Sequence, residues 1–318
     1  MKPMIKPKKK DIKHVVCAGW GKGSVTNTEV EGNSGYYPRY VGIAPFRVMD
    51  VCPDINGIKA IYPNMKEPKE QKYTFDSNGN KGAFAVFYLE SEYNEKLNPL
   101  SIRAIARATF ALNDKFQDKK DGSKYQIVND FGHFTYVTPE ELKNKVSADA
   151  DKQAFSWQGV RRAYVGEEDL IRFIKKFKGI QEYRNYKDGV WSVKEGNLDE
   201  FLASFSDKEI KDIINGNMKS LKASITECVK TNKIKLFCGI RTTSDGKEYQ
   251  EVCTKIPIPF AMKKYDTYIK SLETMKDNGS FSNINFGEPP YEFKEIVPEK
   301  TNFTPPVSDD DPTSDLPF

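Results

Sequence analysis

The sequence predicts an α+β fold, on three observations. Residues 14–137 are mainly short apolar runs rich in β-branched and aromatic residues, punctuated by Gly, Pro and Asn, as short strands require. The middle of the chain carries capped, amphipathic segments of helical period. Near the end, an Asp-Gly turn joins two further strand-like runs. The 318 residues suffice for one large domain or two small ones, with a core that needs no disulfide or metal to hold it.

The elements follow in order. Val41–Met49 reads as a strand that Pro45 pushes towards an edge or a bulge, and Ile58–Tyr62 reads as a second strand. Asp76–Asn80 is a strong turn signal before Gly82–Glu90, the clearest strand in the chain. Ser101–Phe110 is ambiguous, with Ile102, Ile105 and Ala106 favouring a helix weakly. Tyr125–Val128 and His133–Val137 return to strand. Thr138 then stands three residues before Glu141 with Pro139 at the first helical position, a good helix start. Glu167–Phe177 places acids in its first turn, Leu170, Ile171, Ile174 and Phe177 or Phe173 on one face, and lysines in its last turn. Ser206–Glu209 opens another helix running towards Thr231, interrupted near Gly216. Lys233–Arg241 and Lys247–Cys253 flank Thr242–Gly246 as a hairpin with Asp245-Gly246 in the turn.

These elements group into a basic arm (1–13), a core (14–287) with a helical insertion at about 138–232, a Pro-rich linker (288–307) and an acidic tail (308–318). The arm carries Lys2, Lys6, Lys8, Lys9, Lys10 and Lys13 against Asp11; it is a solvated terminus, or it contacts phosphates or a neighbouring subunit.

Composition excludes several classes. With 38% hydrophobic and 30% charged residues, and no apolar run near the ~18 residues of a membrane span, the chain reads as soluble; its first ten residues lack the apolar core of a secretion signal, so a cytoplasmic location is expected. Five irregularly spaced cysteines (Cys17, Cys52, Cys228, Cys238, Cys253) argue against a disulfide framework. The tail holds four negative charges, Asp309, Asp310, Asp311 and Asp315, so taking it from a net +4 leaves +8 on residues 1–307. An acidic tail beside a basic body suits a protein that binds a polyanion and carries a tethered mimic of it.

Signals for catalysis are poor. His14 and Cys17 have a spacing that can hold two metal ligands, but the other cysteines lie far off, and a structural histidine with a buried thiol is the better reading. Gly19–Gly23 lacks the Gly-Lys-Ser/Thr that completes a phosphate loop and reads as a turn. No catalytic residue, cofactor or metal is expected.

Signals for binding are better. Single-stranded nucleic acid needs cations along a groove for phosphates and aromatic faces on which unpaired bases stack. Tyr36–Tyr40 followed by Arg47, Trp157–Tyr164, and the strand beginning Lys233-Ile-Lys235 mix the two. The residues taken from them are Arg39, Arg47, Arg161, Arg162, Lys233 and Lys235 for phosphates, with Tyr40, Trp157 and Tyr164 for bases. On alternation, Lys233, Lys235 and Arg241 share or border one exposed face. The competing reading of each is structural: aromatics in such stretches also serve as packing residues, and strand lysines as a solvated face.

The tail itself cannot fold: its aspartates repel, Pro312 and Pro317 block regular pairing, and one Leu and one Phe bury too little. It is either a solubilising terminus or a ligand. Its ending favours a ligand, because Phe318 can fill an apolar pocket while a terminal carboxylate meets Arg or Lys beside it.

Here the chain resembles the single-stranded DNA-binding (SSB) proteins of bacteria and tailed phages, whose acidic tails end in Asp-(Ile/Leu)-Pro-Phe or a close variant; Asp315-Leu316-Pro317-Phe318 fits, with the Asp309–Asp311 cluster set apart from it by Pro312-Thr313-Ser314. The segment Arg161–Ile174 is also similar to a stretch of phage SSB proteins in which an aromatic and Gly-Glu-Glu precede an amphipathic helix. The resemblance implies an OB-fold-like β-barrel elaborated by the helical insertion, and a protein that coats single-stranded DNA during phage replication, recombination and repair in the host cytoplasm. It further implies that Leu316, Pro317 and Phe318, with the tail aspartates, recruit replication, recombination or repair proteins, and that the N-terminal arm mediates self-association on DNA. The rival expectations are an adaptor whose body never touches nucleic acid and a subunit of a nucleic-acid-processing enzyme.

Overall fold

The computed structural model describes residues 40–77, 79–91, 104–119, 122–145, 150–153, 155–177, 183–187, 190–194, 205–219, 221, 232–291 and 293. Arg39, the arm, His14, Cys17, the remainder of the linker and the tail lie outside them.

Strand β1 (Gly42–Val51) organises the main sheet, a mixed α+β arrangement whose ladders are antiparallel. On one side it pairs with β10 (Lys233–Thr242), on the other with β3 (Asn80–Ser91). β3 also pairs with β2 (Thr74–Ser77) and β4 (Ile105–Asn113), and β10 with β11 (Glu248–Pro259) and β12 (Ile284–Asn285). One five-strand path runs β11–β10–β1–β3–β4, and its two end strands approach each other. The hairpin β10–β11 turns at Gly246, whose φ of +77° is the conformation that favours glycine.

Alternation puts Ala85, Phe87 and Leu89 of β3 on the inner face, with Ala106, Ala108 and Leu112 of β4 and Leu236 and Cys238 of β10. Helix α4 (Glu167–Phe177) closes this core: Phe173 lies 5.0 Å from Phe87 and 4.9 Å from Phe110, ring centre to ring centre, with Leu170, Ile171 and Ile174 buried beside it. The helix begins where the sequence predicts, and Phe173 and Phe177 are both buried. The other face of β1, β10 and β11 carries Ile43, Phe237 and Cys253 under helix α6 (Asp266–Asp277) and Phe281, Phe286 and Tyr291.

A smaller sheet joins β5 (Tyr125–Val128), β6 (Phe134–Val137) and β7 (Arg161–Arg162) around Ile127, Val137 and Phe155. Helix α2 (Pro139–Asn144) starts with the predicted capping box between Thr138 and Glu141. The segment expected as a helical insertion holds α2, α3 (Ala150–Gln153), α4 and α5 (Asp207–Ile214), together with β7 and the hairpin β8 (Tyr183–Lys187) and β9 (Val190–Lys194). α5 has a capping box at Ser206 and stops at Ile214; Gly216, at φ +95°, marks the expected interruption. Residues 222–231 lie outside the described set.

Two elements differ from the sequence reading. Ile58–Tyr62 is not a strand: helix α1 spans Ile55–Ile61, capped by the Asp54 carboxylate accepting from the Gly57 amide, with Ile58 and Ile61 buried one turn apart. Ser101–Phe110 does not form the weakly favoured helix, because from Ile105 it is strand β4, paired with β3 from Glu90↔Ile105 to Gly82↔Asn113. Pro45 lies where β10 pairs with β1 but the β3 ladder has ended, so that part of β1 is an edge, as its proline predicts; the two ladders overlap at Phe46 and Arg47, and the bulge lies further on, at Val48/Asp50.

Candidate nucleic-acid interface

Segment 157–164 contributes the densest cation and aromatic cluster, built with partners from elsewhere in the chain. The Arg162 guanidinium is sandwiched between Phe116, 4.3 Å from the ring centre, and Tyr125, 4.1 Å away, and its Nη2 donates to both carboxylate oxygens of Asp118. Phe116 continues the column, lying 4.9 Å from Tyr164. Phe116 is exposed although large and apolar, and Trp157 and Tyr125 are half-buried against the small core of β5–β7. An exposed face next to a held guanidinium is the geometry on which an unpaired base can stack.

Two neighbours are structural. Arg161 donates to both oxygens of the buried Glu167, 3.0 Å to one of them, and to the carbonyls of Phe205 and Arg162, tying β7 to the start of α4. Tyr164 is buried; its hydroxyl donates to Asp207, and burial with that acceptor pushes its phenol up. Tyr40 is buried as well, with its backbone held on both sides by the Gln250 amide. In this conformation neither tyrosine presents a ring face to solvent.

The strand lysines separate in the same way. Arg47 and Lys233 are direct cross-strand partners at one end of the β1–β10 ladder; Arg47 is 59% exposed and ion-paired to Glu90 at 3.1 Å. Lys235, expected on the exposed face with Lys233 and Arg241, is instead only 3% exposed. Its ammonium donates to the Met262 carbonyl at 2.7 Å and the Tyr265 hydroxyl at 3.0 Å, under Phe293 at 3.9 Å. Local alternation cannot reveal this cage, since its walls come from residues 260–293.

The face of β3 and β4 opposite Phe87 was missed; Val86 and Tyr88 on it are buried. Register places Phe75 opposite Gly82, and Phe84, Val86 and Tyr88 opposite Ala111, Thr109 and Arg107, all on one face. Phe75 and Phe84 stack at 4.7 Å, both half-buried, while Arg107 and Ala111 are exposed. Gly82 makes room for this pair: a Cβ there would meet Phe75 Cζ at 2.5 Å. Burial pushes the Tyr88 phenol up, and its hydrogen bond to Arg107 opposes that. The signal was present in Gly82, two residues before Phe84, but Arg107 was hidden in a segment whose pattern is ambiguous between helix and strand.

The turn end of the β10–β11 hairpin completes the set, with Arg241 5.1 Å over the Tyr249 ring and 3.1 Å from Glu251. Among the described residues, no group of three or more His, Cys, Asp or Glu is arranged to hold a metal, and no helix is long and apolar enough to cross a membrane. Cys52, Cys238 and Cys253 are buried free thiols. Comparison with family models, curated proteins and solved structures finds no match to this chain.

Proposed function

We propose that this chain is a sequence-independent single-stranded DNA-binding protein of the phage SSB type, with an elaborated OB-fold body, that coats single strands in replication, recombination and repair. The observation that carries the reading is the strand order together with the β3–β4 face opposite Phe87. In the order β10–β1–β3–β4, a returning fourth strand lies beside the first, the Greek-key arrangement, and β11 extends it round to meet β4. β3 and β4 then occupy the second and third places of a five-stranded barrel, where OB-folds bind single strands, between the 52–79 connection and the 243–247 turn. That face offers the half-buried Phe75–Phe84 pair towards one end and the exposed Arg107 four residues from Ala111 along β4, a stacking surface and a cation on one face.

Phosphate contacts fall to the exposed Arg107 and Arg47 and the half-buried Lys233, with Trp157, Phe116 and Arg162 as a second stacking patch. Duplex DNA hides its base faces, so such a surface prefers single strands. The tail, through Leu316-Pro317-Phe318, recruits replication, recombination or repair proteins.

Fluorescence anisotropy of a labelled oligo-dT strand, titrated at two salt concentrations beside a matched duplex, tests this. The expected result is preference for the single strand, with log affinity falling by about 0.7 per phosphate neutralised for each log unit of salt, and weaker binding for Arg107→Ala and Phe84→Ala. Absence of binding at low salt, even after removal of residues 308–318, would overturn the reading and leave the tail as a docking peptide on an inert body.

A further inference from the structure

The β10–β11 hairpin carries an ion pair of unequal partners. Glu251 is on the β11 face that carries Cys253, opposite Phe237, and its side chain is 6% exposed; Arg241, near the turn end of the hairpin, is 32% exposed. The carboxylate engages the guanidinium through Nε at 3.1 Å, and among the described residues the terminal nitrogens of Arg241 donate to nothing. Directly across the ladder from Arg241 stands the half-exposed Tyr249, whose ring lies under the guanidinium. A partly exposed cation with terminal donors unused among the described residues, fixed over an aromatic face, is the chemistry that receives a phosphodiester with a stacked base.

Building on the single-strand reading above, we infer that Arg241 and Tyr249 form a phosphodiester subsite that works by exchange: the phosphate takes the guanidinium from Glu251, and the carboxylate left behind takes up one proton from solvent. The balance is simple, one proton gained by Glu251 for each strand seated, with no bond made or broken in the DNA.

The surroundings favour the exchange. Burial already pushes the Glu251 carboxyl up to about 7 while Arg241 is beside it. An ionised carboxylate deprived of its counter-charge in an apolar setting neutralises rather than stays charged. The groups on its face are Arg241 from β10 and Tyr249 and Cys253 on its own strand; the Asn285 backbone carbonyl and the Phe286 ring lie over Gly239, its partner across the ladder, and α6 adds Tyr268 and Leu272 to the apolar cluster of Cys253 and Phe286. Burial pushes the Cys253 thiol up to about 11, so it keeps its proton where Glu251 changes charge.

The test is binding of labelled oligo-dT by the full chain at constant ionic strength from pH 6.5 to 9, with Glu251→Gln in parallel. Wild-type affinity should rise as pH falls from 9, by at most about tenfold per pH unit, and level off near pH 7. Glu251→Gln should lack that component and hold close to the wild-type low-pH affinity throughout. Titration calorimetry of the wild type at pH 8, in two buffers of different ionisation enthalpy, should show net proton uptake without relying on any variant. A slope that survives unchanged in Glu251→Gln, a wild-type affinity that falls as pH falls, or absence of proton uptake would overturn the exchange while leaving the single-strand reading intact. Failure of the wild type to bind oligo-dT at any pH would overturn both.

Discussion

Lys235 and Arg162 illustrate how a cation is assigned its part by what lies across from it. Both sit on strands and both meet aromatic rings, yet Lys235 is sealed under Phe293 while Arg162 has the exposed Phe116 over it. Glu251 is the acidic counterpart, and its folding linkage has a definite sign. Its carboxyl titrates near 7 in the fold against the ordinary 4.5, so between those values the folded chain holds the extra proton. Its contribution to stability is therefore full below about pH 4.5, declines as pH rises to 7, and is lost beyond. Glu251→Gln removes that loss. Urea denaturation should find the variant more stable than wild type at pH 8, by on the order of 2–3 kcal/mol, with the gap shrinking towards pH 5. A gap that does not change with pH would assign the effect to packing instead.

At the scale of elements, α4 is positioned by a glycine rather than by its own sequence alone. Gly166 has φ +87°, and a Cβ there would stand 1.8 Å from the Ala111 carbonyl oxygen of β4. Gly166→Ala should thus combine left-handed strain with displacement of the helix from β4, costing on the order of 3 kcal/mol in a urea melt. Gly122→Ala, at φ +65° with nothing within 4 Å, should cost only about 1 kcal/mol. Equal losses would mean that the contact with β4 is unimportant. α4 was legible in advance because acids, apolar face and lysines occur in one local run, and the α2 and α5 starts were legible through their capping boxes. β4 was not: Ile105, Ala106 and Ala108 are buried through pairing with β3, a partner that periodicity over ten residues cannot name. Ile58–Tyr62 failed for the opposite reason, since two isoleucines three apart suit a helical turn once Asp54 is recognised as its cap.

For the whole molecule, the decisive long-range step is β10 returning to β1, pairing Arg47 with Lys233 across the length of the chain, and this return is what groups cations that the sequence lists far apart. Charge asymmetry, by contrast, was visible from composition, because it needs no fold: the tail's aspartates offset a body that is +8 without them. If the tail occupies the same basic surface as DNA, tethering holds it there at an effective concentration in the millimolar range for a short flexible linker, so free DNA must displace it. Removing residues 308–318 should then strengthen oligo-dT binding at low salt, and the gain should fade as the Debye length contracts from ~30 Å at 0.01 M to ~8 Å at 0.15 M. Anisotropy titrations of full-length and truncated chains at both salt levels check this. Unchanged affinity at low salt would mean that the aspartates do not reach the groove and that the tail serves partners alone. Weaker binding after truncation would sink competition outright, since a repulsive segment cannot help hold a polyanion.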